Sequence, residues 1–236
     1  MNRICFRERS LPYEIEEEIK TLRTNIQFCG DDKRVILITS CISGEGKSTN
    51  ALRLAKSLTE LNKKVVLVDC DLRKSVLVNQ IESGQVDKGL THFLSGQCQF
   101  SDVLYATNVP KLATVFAGVV PPNPTELLSG KAFSKMIETL REAFDYVIVD
   151  CAPIGMVVDA AIVAKNCDGV ILLIESGTIR RKFAEDCINS LKKSEIPILG
   201  TVLTKVDRKK DGKYYGKYYG KYYRKRYESY YKKDEK

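Results

Sequence analysis

Short, nearly uninterrupted apolar runs recur along most of the chain, separated by longer amphipathic segments. Their continuous apolar character predicts strands that are covered on both faces. Alternation of such strands with helices predicts an α/β fold with a mostly parallel central sheet flanked by helices. The apolar runs are 35-VILIT-39, 65-VVLVD-69, 112-LATVF-116, 146-YVIVD-150, 170-VILLI-174 and 198-ILGTVL-203.

Three segments carry helix signals between these runs. Residues 13–28 predict a charged leading helix and residues 180–193 a late one. In 123-NPTE-126, we expect Asn123 to cap a helix, with proline at its first position and Glu126 completing a capping box.

The alternation stops near Asp207, and a G-K-Y-Y repeat takes over. Residues 208–236 contain no leucine, isoleucine, valine or phenylalanine, so they cannot build a core and are expected to be disordered. We therefore predict a folded domain over 1–207 and a basic tail over 208–236. The tail carries nine tyrosines: Tyr214, Tyr215, Tyr218, Tyr219, Tyr222, Tyr223, Tyr227, Tyr230 and Tyr231.

The net charge of +8 belongs to this tail. Residues 208–236 hold twelve Lys and Arg against four Asp and Glu, a balance of +8, whereas residues 1–207 hold 26 of each sign. A neutral folded domain argues against specific nucleic-acid binding by that domain.

The cysteines and the apolar runs bear on the compartment. Eight cysteines show no C-x-x-C spacing, which argues against a zinc site or a disulfide framework and favours small buried residues in a reducing compartment. No apolar run approaches the roughly 18 residues that a membrane span needs. We expect an intracellular protein; if it works at the inner face of a membrane, another molecule must hold it there.

The first strand runs into a glycine-rich turn, 40-SCISGEGKST-49, and then into a helix. This is the end of a phosphate-binding loop, although Cys41 stands where the usual pattern has its leading glycine. We expect Lys47 to reach the β- and γ-phosphates of a nucleotide and the Ser48 hydroxyl to bind Mg²⁺. The predicted nucleotide-binding residues are Ser43, Gly44, Glu45, Gly46, Lys47, Ser48 and Thr49.

Acidic residues follow two further strands. Asp69 and Asp71 lie two apart after the second run, and Asp150 ends the fourth. The carboxyl ends of parallel strands converge on the ligand crevice of such a sheet, so we expect the three carboxylates to meet the phosphate site. A metal-assisted phosphate site needs carboxylates of this kind.

Together these segments resemble the bacterial tyrosine kinases that regulate capsule and exopolysaccharide synthesis. That family carries three nucleotide-site motifs, which read here 44-GEGKS-48, 67-LVDCDLR-73 and 148-IVDCAP-153. The resemblance extends to the proline-rich stretch 121-PPNPTELL-128 and to the tyrosine-rich end. It also includes the family's ExxRxxR oligomerisation motif, which appears as Glu17, Lys20 and Arg23 with lysine at the middle basic position.

The resemblance implies a fold like that of the ParA/MinD-type P-loop ATPases and an ATP- and Mg²⁺-dependent kinase. Lys47, Asp69 and Asp71 would be catalytic, with Asp69 as the general base, and Ser48 and Asp150 would hold the metal. Arg73 would either stabilise the site or contact a neighbour. The tail tyrosines would be autophosphorylated in trans within a ring-shaped homo-oligomer. A transmembrane activator, or polysaccharide co-polymerase protein, and a counteracting tyrosine phosphatase would be the partners.

Other functions compete with this interpretation. A positioning ATPase would hydrolyse ATP without modifying protein, but Ile42 replaces the signature lysine of those ATPases. The basic aromatic tail could instead bind nucleic acid or an anionic membrane surface. The segment 204-TKVD-207 has the form of a guanine-reading motif, and His92 is interpreted as a structural histidine rather than a catalytic one.

Overall fold

A seven-stranded sheet covered by helices on both faces organises the protein. The computed structural model describes residues 3–8 and 10–207. The strands are β1 (Cys5–Phe6), β2 (Val35–Ser40), β3 (Val65–Asp69), β4 (Ile81–Ser83), β5 (Leu104–Ala106), β6 (Leu112–Val115), β7 (Tyr146–Asp150), β8 (Gly169–Glu175) and β9 (Ile198–Thr204). The helices are α1 (Tyr13–Phe28), α2 (Lys47–Glu60), α3 (Leu90–Leu94), α4 (Pro124–Ser129), α5 (Lys131–Ala143), α6 (Asp159–Ala164) and α7 (Arg181–Lys192).

The strand order in the large sheet is β5-β6-β3-β7-β2-β8-β9. All neighbours are parallel except β5, which runs antiparallel to β6 at one edge. A separate antiparallel pair joins β1 to β4. The predicted α/β architecture with a mostly parallel sheet is therefore confirmed.

Alternate residues of each strand feed two cores. In β2, Val35 and Leu37 pack with α5, α6 and α7 on one face, and Ile36 and Ile38 pack with α1 and α2 on the other. Every residue of β2 is buried, which explains why its first four residues, 35–38, are all apolar. The strand ends inside this three-layer arrangement are consequently rigid supports for the polar residues that follow them.

The helix that begins after 121-PP-122 differs from the sequence prediction. Asn123 precedes Pro124 at the expected place, but its side chain makes no capping hydrogen bond. Its backbone angles, φ −131° and ψ 62°, depart from the extended conformation that directs a capping side chain at the first amides. The predicted capping box with Glu126 is therefore wrong.

Within residues 3–8 and 10–207, no helix has the length and apolarity to cross a bilayer. All eight cysteines are free thiols, as the absence of paired spacing predicted. Five of them are buried, but Cys29 is exposed at the end of α1, so the prediction of buried cysteines fails there.

Candidate active site

The phosphate-binding loop connects the buried β2 to α2. Two of its residues, Gly44 and Gly46, have φ values of +91° and +87°. This left-handed conformation costs a residue with a Cβ about 1–2 kcal/mol, which explains glycine at both positions. Helix α2 begins at Lys47, directly after Gly46. The free amides and positive dipole end of α2 consequently lie at the loop, where a phosphate binds well.

Glu45 stabilises this loop from within. Its side chain is completely buried, and one carboxylate oxygen accepts a hydrogen bond from the Ile42 amide at 2.8 Å. The other oxygen accepts one from the Glu175 amide, also at 2.8 Å, at the end of β8. The sequence grouped Glu45 with the nucleotide-binding residues, but its side chain is engaged with the backbone of the protein. It fastens the loop to the neighbouring strand.

The predicted catalytic lysine lies among the carboxylates. Lys47 Nζ is 3.8 Å from Asp71 Oδ2, and both side chains are 8% exposed. The second carboxylate oxygen of Asp71 accepts the Lys74 amide at 2.9 Å, which fixes its orientation. The buried ammonium group is thus held beside the phosphate-binding loop, where it can pair with a phosphate group.

Asp69 and Asp150 face each other across neighbouring strands. They are direct register partners at the carboxyl ends of β3 and β7, and both are completely buried. One oxygen of Asp69 accepts the Asp71 amide at 3.1 Å, and the other accepts the hydroxyl of Ser75. Neither oxygen of Asp150 has a partner with hydrogen-bond geometry among the described residues.

These contacts perturb both carboxyl groups. Burial raises the pKa of Asp150 from 3.8 to about 6; the charge of Lys47 and the nearby Ser48 hydroxyl lower this pKa, and the charge of Asp71 raises it. Burial also raises the pKa of Asp69 well above its ordinary value, with the charge of Asp150 adding to the effect. The hydrogen bonds from Ser75 and the Asp71 amide act in the opposite direction on Asp69.

The arrangement fits a divalent cation bound together with a phosphate. Buried carboxylate oxygens without partners, as in Asp150, call for a cation or water. Ser48, at the start of α2, supplies a hydroxyl near that carboxylate. No described residues form a group of three or more His, Cys, Asp or Glu side chains able to hold a metal ion. Mg²⁺ suits such a sparse site, since it commonly takes further ligands from water and substrate phosphates.

Arg73 anchors the segment that follows β3 and carries Asp71. Its guanidinium group makes two hydrogen bonds, of 2.7 and 3.0 Å, to the buried carboxylate of Asp159 at the start of α6. The Thr125 hydroxyl joins this pair, at 2.9 Å from Arg73 and 2.9 Å from Asp159. Of the two roles left open by the sequence, the described contacts support stabilisation of the site. Neither Asp159 nor Thr125 stood out in the sequence.

The predicted oligomerisation residues lie away from this cluster, on α1. Glu17 and Lys20 form an exposed pair at 2.8 Å. Arg23 is mostly buried and donates to the Ser57 carbonyl at 2.6 Å and to Glu60 at 2.9 Å, both on α2. Arg23 thus joins α1 to the helix that begins at the phosphate-binding loop.

Two further predictions concern groups outside the cluster. The Nδ1 atom of His92 accepts the Gly89 amide at 3.1 Å, which is the structural role expected for this histidine. The nine tail tyrosines lie outside the described residues.

Comparisons with known proteins identify the family of the chain. A family model described as an AAA domain matches residues 33–195. The tyrosine-protein kinase CpsD of Streptococcus agalactiae serotype III is 45% identical over 192 residues, 81% of this chain and 83% of that protein. The tyrosine-protein kinase YwqD of Bacillus subtilis is 36% identical and is covered to 79%. The crystal structure of the VpsO kinase domain is 30% identical, with a TM-score of 0.72, over 83% of this chain and all of that one.

The residues matched by the family model include the phosphate-binding loop and the segments that carry the three aspartates. The resemblance inferred from the motifs is therefore confirmed: the chain belongs to the bacterial tyrosine-protein kinases, within the AAA-domain group of P-loop proteins.

Proposed function

We propose that the protein transfers the γ-phosphoryl group of ATP to tyrosines 214–231 on a second copy of the chain. Residues 1–207 would form the catalytic domain and residues 208–236 the acceptor. The observation that carries the proposal is the cluster of Lys47 with three buried carboxylates beside a phosphate-binding loop. The tyrosine-protein kinases among its relatives support the same chemistry.

Each residue of the cluster has a defined task in this reaction. The loop amides and Lys47 bind and neutralise the terminal phosphates, and Asp71 holds Lys47 in place. Asp69 accepts the proton of the tyrosine hydroxyl, and its raised pKa makes the ionised group a stronger base than an ordinary aspartate. Ser48 and Asp150 would hold Mg²⁺, which when bound offsets negative charge on the phosphates. Positioning and charge neutralisation supply most of the catalysis in phosphoryl transfer.

Phosphorylation would also reverse the charge of the tail. Each phosphate adds about −1.5 to −2 charges, so four or five modifications cancel the tail's balance of +8. We expect the basic tail to hold neighbouring copies together in a ring and the phosphorylated tail to release them. Light scattering before and after treatment with ATP measures the change; an unchanged particle size contradicts the switch.

The same cycle would regulate the synthesis and export of capsular polysaccharide or exopolysaccharide. In this proposal a transmembrane activator of the polysaccharide co-polymerase type recruits the cytoplasmic kinase to the inner face of the membrane. A tyrosine phosphatase reverses the modification. Co-purification of the chain with membranes only when the activator is present would support this recruitment, and membrane binding by the isolated chain would contradict it.

A two-component assay tests the transfer itself. The enzyme is the full chain with its nine tail tyrosines changed to phenylalanine, and the acceptor is the full Lys47→Met chain. With labelled ATP, Mg²⁺ and the activator, we expect label on tyrosine of the acceptor only. Release of free phosphate without labelled tyrosine would indicate a positioning ATPase and overturn the proposal.

A further inference from the structure

The proposed base lies too deep for direct contact with a tyrosine. Asp69 is completely buried, and each of its oxygens already accepts a hydrogen bond. The donor to Oδ2 is the hydroxyl of Ser75, six residues further along the chain. Ser75 itself is only half-buried. Ser75 therefore links the completely buried carboxylate to a less buried residue.

Ser75 opens on a cleft of about 340 Å³. The cleft has a largely apolar wall that includes Val78, Val86, Phe116 and Val119. An aromatic ring packs well against such a wall while its polar end reaches a hydrogen-bonding group. The exposed Val119 and Val120, with 58% and 68% of their surfaces accessible, border the same cleft. A phenol lying along this wall can bring its hydroxyl to Ser75.

The segment that carries Ser75 is fixed at several points. The Lys74 amide, one residue earlier, donates to Asp71 at 2.9 Å. Arg73 is held by two hydrogen bonds to the buried Asp159. After Ser75, Leu77 is completely buried in the core on the α1–α2 face of the sheet. The hydroxyl is thus held by its supporting segment, as a group that takes part in proton transfer must be.

We propose that Ser75 relays the proton of the acceptor tyrosine to Asp69. This inference rests on the proposed kinase function and deepens it. The phenol gives its proton to Ser75 Oγ while the Ser75 hydroxyl proton passes to Asp69 Oδ2. The phenolic oxygen forms a bond to the γ-phosphorus, and the bond between that phosphorus and the bridging oxygen breaks. Its electron pair leaves with ADP, and Asp69 later returns the proton to solvent through Ser75.

The test compares Ser75→Ala with Ser75→Thr in the full chain, each as enzyme toward the full Lys47→Met acceptor. Loss of the relay should lower kcat for tyrosine phosphorylation about 100-fold or more, the usual contribution of general acid–base catalysis. Ser75→Thr keeps the hydroxyl and should retain most of the rate. ATP affinity should stay unchanged in both variants, because the contact between Lys47 and Asp71 is untouched. Ser134→Ala, on α5, is the matched control and should behave as wild type.

A double variant tests whether Ser75 acts through Asp69. If Ser75 acts through Asp69, adding Ser75→Ala to Asp69→Asn should cost no further rate, since residues that act as one unit are not additive. A loss that adds to that of Asp69→Asn, a normal rate in Ser75→Ala, or weakened ATP binding in Ser75→Ala would each overturn the relay. Absence of tyrosine phosphorylation in the wild-type chain would instead refute the proposed function.

Discussion

Glu45 offers a sharp test of how the phosphate-binding loop is held. Its buried carboxylate accepts the amides of Ile42 and Glu175, both at 2.8 Å. Glu45→Ala removes both acceptors and leaves two amides without partners. A hydrogen bond to a charged group contributes about 1.5–3 kcal/mol, so we expect the free energy of unfolding to fall by about 3–6 kcal/mol.

The assay is urea unfolding followed by far-ultraviolet circular dichroism. Glu45→Gln keeps one acceptor oxygen but turns an amide donor toward the other N–H, so it should lose about half as much stability, about 1.5–3 kcal/mol. This milder variant gives the measurement if Glu45→Ala does not fold. Glu142→Ala, on the exposed face of α5, is the control and should change stability by no more than about 0.5 kcal/mol.

The loop itself provides the second readout. Without the hydrogen bond between Glu45 and the Glu175 amide at the end of β8, the loop is less well ordered. Affinity for a fluorescent ATP analogue should therefore fall in both Glu45 variants. If Glu45→Gln unfolded at the wild-type urea concentration and bound the analogue normally, the carboxylate would not fasten the loop, and the reasoning would be wrong.

Three further predictions concern neighbouring residues. Gly46→Ala places a Cβ at φ +87° and 3.1 Å from the Asn50 side chain, so it should cost about 1–3 kcal/mol in urea unfolding and weaken ATP binding. Arg73→Lys replaces two hydrogen bonds to the buried carboxylate of Asp159 by one. Thermal unfolding should show that the free energy of unfolding falls by about 1–3 kcal/mol. Ionised Asp150 destabilises the folded state by about 2–3 kcal/mol, because the pKa of its carboxyl group is about 6 in the folded chain and 3.8 in the unfolded chain. Asp150→Asn should therefore raise the Tm of the Mg²⁺-free protein at pH 7 while abolishing kinase activity.

The pH dependence fixes the sign of the Asp150 prediction. Between pH 3.8 and about 6, Asp150 is protonated in the folded state but ionised in the unfolded state. The destabilisation of the folded state by ionised Asp150 is therefore complete above about pH 6 and vanishes as the pH falls toward 3.8. The gain in Tm from Asp150→Asn should shrink over the same interval. A gain in Tm that is equal at pH 4 and pH 7 would contradict the prediction for Asp150. Wild-type ATP binding in Gly46→Ala would contradict the prediction for the loop glycine. Wild-type stability in Arg73→Lys would contradict the prediction for the pair with Asp159.

The bounds of the central strands could be predicted from the sequence because these strands are buried on both faces. β3 and β7 lie inside the sheet with helices on both faces, and their continuous apolar runs predicted their bounds correctly. The short β1, β4 and β5 were missed, because two or three residues carry no periodic signal. Their pairing depends on contacts with distant segments; β1, for example, pairs with β4 near residue 82.

In the site, too, the features that follow from a local pattern were predicted, and those that depend on distant contacts were missed. Lys47, Asp69 and Asp150 were predicted because their positions follow from a glycine turn and from strand ends, and the structure brings them together. The roles of Ser75 and Asp159 depend on how the segment after β3 folds back, which no local pattern encodes. The inward turn of the Glu45 side chain likewise depends on β8, 130 residues away.

Mass spectrometry of the tail tests the central claim most directly. The full chain is incubated with ATP, Mg²⁺ and its membrane activator, beside a Lys47→Met chain treated identically. We predict phosphate on several tyrosines between residues 214 and 231 of the wild-type chain and on none of those in the Lys47→Met chain. Unmodified tyrosines in the wild type, or equal modification of both chains, would contradict the account.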